Sequence, residues 1–146
     1  MWALPLSEAQ AAGTELARRL VFAPPGRPFP ARRPRIETVG SARRLAPAVR
    51  DLDVLVVIPR AWEPRLGEVL ASAQLAPRAR GDRLVLAAPG VCGPRRRSLV
   101  CRAGGRAFAV DLFLATRAER PFALFHLTGP REYNIRCRAA AKRRGW

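Results

Sequence analysis

The stretch Asp51-Leu52-Asp53-Val54-Leu55-Val56-Val57-Ile58 constrains this chain more than any other. Side chains on a strand alternate faces, so Leu52, Val54, Val56 and Ile58 form an apolar row, and Asp51 and Asp53 share the opposite face one step apart. The apolar row has to be covered by other elements. The two carboxylates repel each other, and a divalent cation between them removes that cost.

Just upstream stand Gly40-Ser41-Ala42-Arg43-Arg44, with six residues between Arg44 and Asp51. A Gly-Ser pair allows a tight turn whose backbone N–H groups can face a phosphate. Ser41 can add its hydroxyl, and Arg43 or Arg44 can add charge-assisted bonds to phosphate oxygens. A turn of this kind beside paired carboxylates suits a nucleoside triphosphate and the divalent metals that travel with it. Taken alone, Asp-x-Asp also fits an edge strand with two solvated acids.

A third acid strengthens the pattern. Arg106-Ala-Phe-Ala-Val-Asp111-Leu-Phe-Leu114 is a second strand candidate, rich in β-branched and aromatic residues. Val110, Leu112 and Leu114 fall on one face and Asp111 on the other. An acid inside an apolar strand needs a partner. An arginine would serve, but a strand lying beside residues 51–58 would let Asp111 complete a cluster of three carboxylates. Such a cluster can hold two metals about 3.5–4 Å apart, the arrangement used for in-line displacement at phosphorus.

With these residues in place, the chain resembles the family X DNA polymerases, and within them a reduced, virus-encoded branch. Gly40-Ser41-x-Arg43-Arg44, six residues and Asp51-x-Asp53 resemble the family's nucleotidyltransferase signature. Val110-Asp111-Leu112 resembles its third-aspartate motif, and Phe125-His126-Leu127-Thr128-Gly129 its Phe-Thr-Gly motif. Tyr133-Asn134-Ile135-Arg136-x-Arg138 and Ala141-Lys142-Arg143-Arg144-Gly145 resemble the helix that follows.

The resemblance implies an α/β (α+β) fold: a nucleotidyltransferase palm with a small mixed sheet, helices on one face and the other face open to substrate. It implies a palm with its N-terminal helix over residues 1–117, and a truncated, helical nucleotide-selection subdomain over 118–146, because the family pattern continues beyond the position of Trp146. The implied activity is dNMP addition from dNTP to a 3′-hydroxyl in gapped or nicked DNA, as in a repair-type polymerase. Asp51, Asp53 and Asp111 would be catalytic and would hold two Mg²⁺ or Mn²⁺ ions, with Asp111 accepting the proton of the primer hydroxyl. Gly40, Ser41, Arg44, His126, Thr128, Gly129 and Asn134 would bind the nucleotide. Arg138 would reach the templating base, and Lys142, Arg143 and Arg144 would bind DNA. Three positions depart from the family pattern: Arg50 stands where Gly is frequent, Ala109 where an arginine is common, and Arg131 where an acid is common.

Charge supports the same partners independently. The chain of 146 residues has 27 Lys plus Arg against 11 Asp plus Glu, a net +16, which points to polyanions and most often to nucleic acid. All but Lys142 of the basic residues are arginine, a choice that a GC-rich gene would also make. The cations group at Arg32, Arg33 and Arg35, at Arg95–Arg97, and on the last helix. The Arg95–Arg97 group is expected at a solvated hairpin tip that can touch a phosphate backbone. No apolar run of 18 residues and no leader-like start occur, so the expectation is an intracellular monomer, in nucleus or cytoplasm, with a helper chain where closure over the site is missing. Cys92, Cys101 and Cys137 fit no zinc spacing and are expected as free thiols.

The pattern predicts a helix over 7–20, started by a Ser7/Gln10 capping box, with Leu16, Leu20 and Val21 as its apolar stripe. Five prolines between residues 23 and 35 predict a stiff loop. Further expectations are a short strand over 36–39, a brief helix over 42–45, a helix from Pro64 to Ala73, strands near 82–88, 98–103 and 106–114, and helices from Pro121 and over 130–144. Two alternatives to a templated polymerase remain: a template-independent nucleotidyltransferase, and a catalytically weak, basic DNA-binding palm. An intact carboxylate triad argues against the last.

Overall fold

The computed structural model describes residues 3–22, 33–75, 85–103 and 105–146. In chain order the elements are β1 (Leu4–Pro5), α1 (Leu6–Arg19), β2 (Leu20–Phe22), β3 (Arg35–Thr38), α2 (Gly40–Arg43), β4 (Ala48–Val49) and β5 (Asp51–Val57). A 3₁₀ turn (Arg60–Arg65), α3 (Leu66–Ala71), β6 (Ala73–Leu75), β7 (Val85–Cys92), β8 (Arg96–Ala103), β9 (Arg106–Ala115), α4 (Arg120–Thr128) and α5 (Arg131–Arg143) follow.

Five strands form one mixed sheet in the order β3-β5-β9-β8-β7. Strands β5 and β9 run parallel, and the other neighbours are antiparallel. Two short ribbons, β1-β4 and β2-β6, tie the ends of the helical layer to it. The apolar row read from the sequence is the core: Leu52, Val54, Val56 and Ile58 are at most 2 % exposed and pack with Val110, Leu112, Leu114, Leu16, Val69 and Leu70. Each such side chain contributes about 1.5–3 kcal/mol on burial, so this row fixes which face of β5 turns inward.

On the opposite face the character changes along the strand. Asp51 and Asp53 come first, then Leu55 and Val57. Leu55 and Val57 form a second small cluster with Val39 and Ala115, against which Ala123, Leu124 and Leu127 of α4 pack. Helix α4 therefore covers the far half of this face, and the carboxylate end remains open.

Several local expectations shift. Helix α1 starts at Leu6 after Pro5, and no side chain caps it, so the Ser7/Gln10 box does not form. The chain enters α1 directly from β1, which leaves Ser7 inside the first turn. Of the expected apolar stripe only Leu16 lies in the helix; Leu20 and Val21 belong to β2, and Val21 is exposed. The expected helix over 42–45 lies at 40–43, and the helix expected from Pro64 is a 3₁₀ turn followed by α3. Most of the Pro-rich loop, Arg32, and the start of the strand near 82–88 lie outside the described residues.

Candidate active site

The parallel pairing of β5 with β9 sets Asp53 opposite Asp111 and Leu52 opposite Val110. In-register residues on a sheet point to the same side, so the acids of β5 and β9 converge. Asp51, Asp53 and Asp111 each offer a carboxylate oxygen, and these atoms lie within 4.8 Å of one another. The donor set is all oxygen and all anionic, which is what a hard divalent cation takes. Burial first, and then repulsion from Asp51 and Asp111, push the Asp53 carboxyl up to about 6.

The β3–α2 turn lies over this cluster. The Val39 N–H donates to the Asp53 carbonyl over 2.9 Å, which anchors the turn. Gly40 adopts φ +64°, and a Cβ there would stand 2.0 Å from Asp53 Oδ2, so backbone freedom and space both require glycine. Ser41 follows it at the rim. Arg44 donates from Nη1 to the Thr128 carbonyl, joining the turn to the end of α4. One of the five guanidinium N–H donors is used there.

Helices α4 and α5 form the other wall. Asn134 is buried, and its Nδ2 donates to the His126 carbonyl over 2.6 Å; its Oδ1 accepts no hydrogen bond among the described residues. The Gly129–Pro130 peptide between the helices is cis. Arg120 at the start of α4 forms a two-pronged pair with Glu37 of β3, at 2.6 and 2.9 Å.

Together these elements enclose a cleft of about 360 Å³. Gly40, Ser41, Arg44, Asp51, Asp53, His126, Gly129, Asn134 and Arg138 line it, so most of the residues singled out in the sequence meet in one place. Phe113, Leu127 and Arg131 line it as well. Thr128 reaches the site through its backbone carbonyl. Asp111 lies at the back, 5 % exposed. Lys142, Arg143 and Arg144 are exposed on and just beyond the last turn of α5, away from the cleft.

The Arg95–Arg97 group forms a solvated tip only in part: Arg95 is exposed in the turn. The turn occupies residues 93–95, and Arg96 and Arg97 belong to β8. Arg97 Nη1 is shared among the carbonyls of Leu70, Ala71 and Ala73 at the end of α3. Arg95 pairs with Glu119 at 2.7 Å. Arg96 Nη2 meets Asp111 Oδ2 at 2.6 Å, and Ser98 Oγ donates to Asp111 Oδ1. The sequence marks Arg96 only as one of a run of surface arginines that can touch phosphate, and Ser98 not at all; the alternation of β8, which puts both on one face, is the available signal. Cys92, Cys101 and Cys137 are free thiols, and burial pushes Cys101 up to about 11.

No helix among the described residues is long and apolar enough to cross a membrane. No protein-family model matches the chain. Curated relatives do. It is 32% identical to Repair DNA polymerase X of African swine fever virus, isolate KEN-50 from a Kenyan pig, over 98% of this chain and 77% of that protein. It is 33% identical, with the same coverage, to Repair DNA polymerase X of the Vero-adapted Badajoz strain. Among solved structures the fold matches Leishmania infantum polymerase beta in a ternary gap complex, with TM-score 0.62 and 20% identity over 95% of this chain and 46% of that one. The same polymerase in a ternary P/T complex gives TM-score 0.62 and 18% identity, over 95% and 53%. The chain thus spans about half the length of these solved proteins. The register that gathers the three aspartates, the glycine turn over them and the likeness along nearly the whole chain agree: this chain belongs to the family X DNA polymerases, beside the repair DNA polymerases X.

Proposed function

We propose that the chain is a metal-dependent DNA nucleotidyltransferase that adds dNMP from dNTP to a 3′-hydroxyl, acting as a repair-type, gap-filling polymerase. The observation that carries this reading is the in-register pairing of Asp53 with Asp111, with Asp51 one step along. Three carboxylates so close are costly without cations, and Asp53 is raised first by its burial and then by repulsion from Asp51 and Asp111. Asp51, Asp53 and Asp111 would hold two Mg²⁺ or Mn²⁺ ions. When bound, such ions sharpen the attacking hydroxyl and stabilise charge on the departing pyrophosphate.

The chain's own groups take the remaining tasks. Ser41 and Arg44 bind the β- and γ-phosphates, and Gly40 keeps the turn close to Asp53. His126, Thr128 and Gly129 lie against the sugar, and Asn134 meets the edge of the incoming base. Asp111 receives the proton of the primer hydroxyl. Arg138 reaches the templating base, and Lys142, Arg143 and Arg144 bind the phosphate backbone. Residues 1–117 serve as the palm and 118–146 as the nucleotide-selection part.

Primer extension on a one-nucleotide gapped duplex with Mg²⁺, each dNTP supplied separately, tests this beside the Asp51→Ala/Asp53→Ala double variant. Addition that follows the template and needs both aspartates supports the proposal. Addition that ignores the template moves the chain to a template-independent transferase. Tight DNA binding with no addition identifies a basic palm that binds without catalysing.

A further inference from the structure

Strand β8 presents two polar side chains to the back of the carboxylate cluster. Its register on β9 sets Ser98 opposite Asp111 and Arg96 opposite Phe113. Alternation then separates the strand into two rows. Leu99 and Cys101 are fully buried in the core, and Arg96 and Ser98 face the acids. Both oxygens of Asp111 are engaged: Oδ2 by Arg96 at 2.6 Å, and Oδ1 by the Ser98 hydroxyl. The Arg96 guanidinium also lies over the Phe113 ring, 5.5 Å from its centroid, which steadies it. The Asp111 side chain is 8% exposed and that of Arg96 59%, so the pair has its acid inside the protein and its arginine at the surface.

We propose that Arg96 and Ser98 are positioning residues that fix the Asp111 carboxylate, so that each oxygen keeps one lone pair for a metal or a proton. A carboxylate oxygen has two acceptor sites, and one on each is taken from β8. A lone Asp111 could swing about χ1 and χ2, and three repelling acids would favour its doing so. Two donors on two oxygens remove that freedom. The proposal rests on the reading of the triad as a metal site. It assigns to β8 a function beyond carrying the hairpin.

The two residues act differently, and that separates them experimentally. Ser98→Ala removes orientation without changing charge. Arg96→Ala removes orientation and also a cation that repels the incoming metal, so its effects on metal affinity partly cancel. Mn²⁺ titration followed by electron paramagnetic resonance, and single-nucleotide insertion kinetics, are measured on the same preparations. Loss of an outer partner of a metal ligand costs about 10–100-fold in activity or affinity. Ser98→Ala is expected to weaken Mn²⁺ binding by about tenfold, the low end of that range, because a neutral hydroxyl is lost. Arg96→Ala is expected to lower kcat by about 10–100-fold with KM for dNTP nearly unchanged, and Arg96→Lys to restore only part, because a point cation lacks the planar guanidinium that lies over Phe113 while it donates to Oδ2.

Kinetics and Mn²⁺ binding within twofold of the parent for both single variants would overturn the proposal and make the pair an ordinary surface contact. A raised KM with unchanged kcat in Arg96→Ala would overturn it differently, making Arg96 a phosphate ligand. Should Arg96→Ala fail to fold, Ser98→Ala and Arg96→Lys still decide. A parent protein that neither binds Mn²⁺ nor inserts nucleotides would instead refute the reading of the triad itself, and this proposal with it.

Discussion

Strand β5 and helix α5 both carry residues of the cleft, and they are held by different forces. Leu52, Val54, Leu55 and Val56 of β5 are at most 1% exposed, between two layers of apolar side chains and two hydrogen-bonded neighbours. In α5 only Asn134 is buried, and α4 buries no residue fully. Helix α4 rests on the second apolar cluster through half-buried Ala123, Leu124 and Leu127 and is tied to the sheet side by Arg120–Glu37 and by Arg44 on the Thr128 carbonyl, while Asn134 joins α5 to α4 through the His126 carbonyl. The difference matches the tasks proposed for the two regions. Carboxylates that share metals need separations fixed to a fraction of an ångström, and a sheet provides this. Groups that meet a variable base pair and a long polyanion gain from exposure and charge.

If the sheet carries the chemistry, its variants should break activity and spare binding. Asp53→Asn keeps the shape and removes the charge. It should lower insertion by on the order of 1000-fold, about 4 kcal/mol of transition-state stabilisation, with DNA affinity by fluorescence anisotropy nearly unchanged. Weakened DNA binding of similar size would erase the division of tasks. Gly40→Ala comes next. Its Cβ would press on Asp53 Oδ2, and its φ of +64° is strained for alanine. A displacement of about 1 Å at a reacting group costs on the order of 100-fold, so insertion should fall by that amount while the core stays folded by circular dichroism.

The pH response sharpens the comparison. Asp53 titrates near 6 in the metal-free protein, above the ordinary 3.8. Below about 3.8 the carboxyl is protonated folded or unfolded and has no effect. Between about 3.8 and 6 the folded state holds more protons, so stability falls as pH rises through that window, and the full cost of the buried charge stands above about 6. Metal binding runs the other way, because the proton competes. Mn²⁺ affinity should rise with pH up to about 6, by at most tenfold per unit for one displaced proton, and then level off. Asp53→Asn should remove the step, and a step that persists would assign it to another group.

How much of this could be read from the sequence follows the range of the signal. The β5 row, the facing of Asp51 with Asp53 and the helix after Pro130 were legible, because alternation and proline rules act within a few residues. The convergence of Asp111 follows from its lone charge in an apolar strand, and the register sets it opposite Asp53. Arg96, Ser98 and Arg97 were not legible. Three consecutive arginines read as a solvated turn, and only the pairing of β8 with β9 and the open end of α3 give each a separate partner. The capping expectation at Ser7 failed for the same reason: the ribbon formed by β1 with β4 sets where α1 begins.

The smallest effect belongs to the outer end of α5, and it tests the other half of the comparison. Arg143 and Arg144 are exposed, lie outside the cleft and stand beside Lys142. If they meet DNA phosphates, each contact releases counterions, and the logarithm of affinity falls with the logarithm of salt by about 0.9 per phosphate on duplex DNA. Arg143→Gln/Arg144→Gln should therefore flatten that slope by about 1.8, which is roughly a tenfold loss of affinity between 200 mM and 50 mM salt relative to the parent's gain. Insertion at saturating DNA should stay within about twofold, since neither side chain reaches the triad. An unchanged slope would mean that α5 meets the nucleic acid only through the groups that line the cleft, Arg138 among them, and the binding surface would have to be sought on the arginines of other elements.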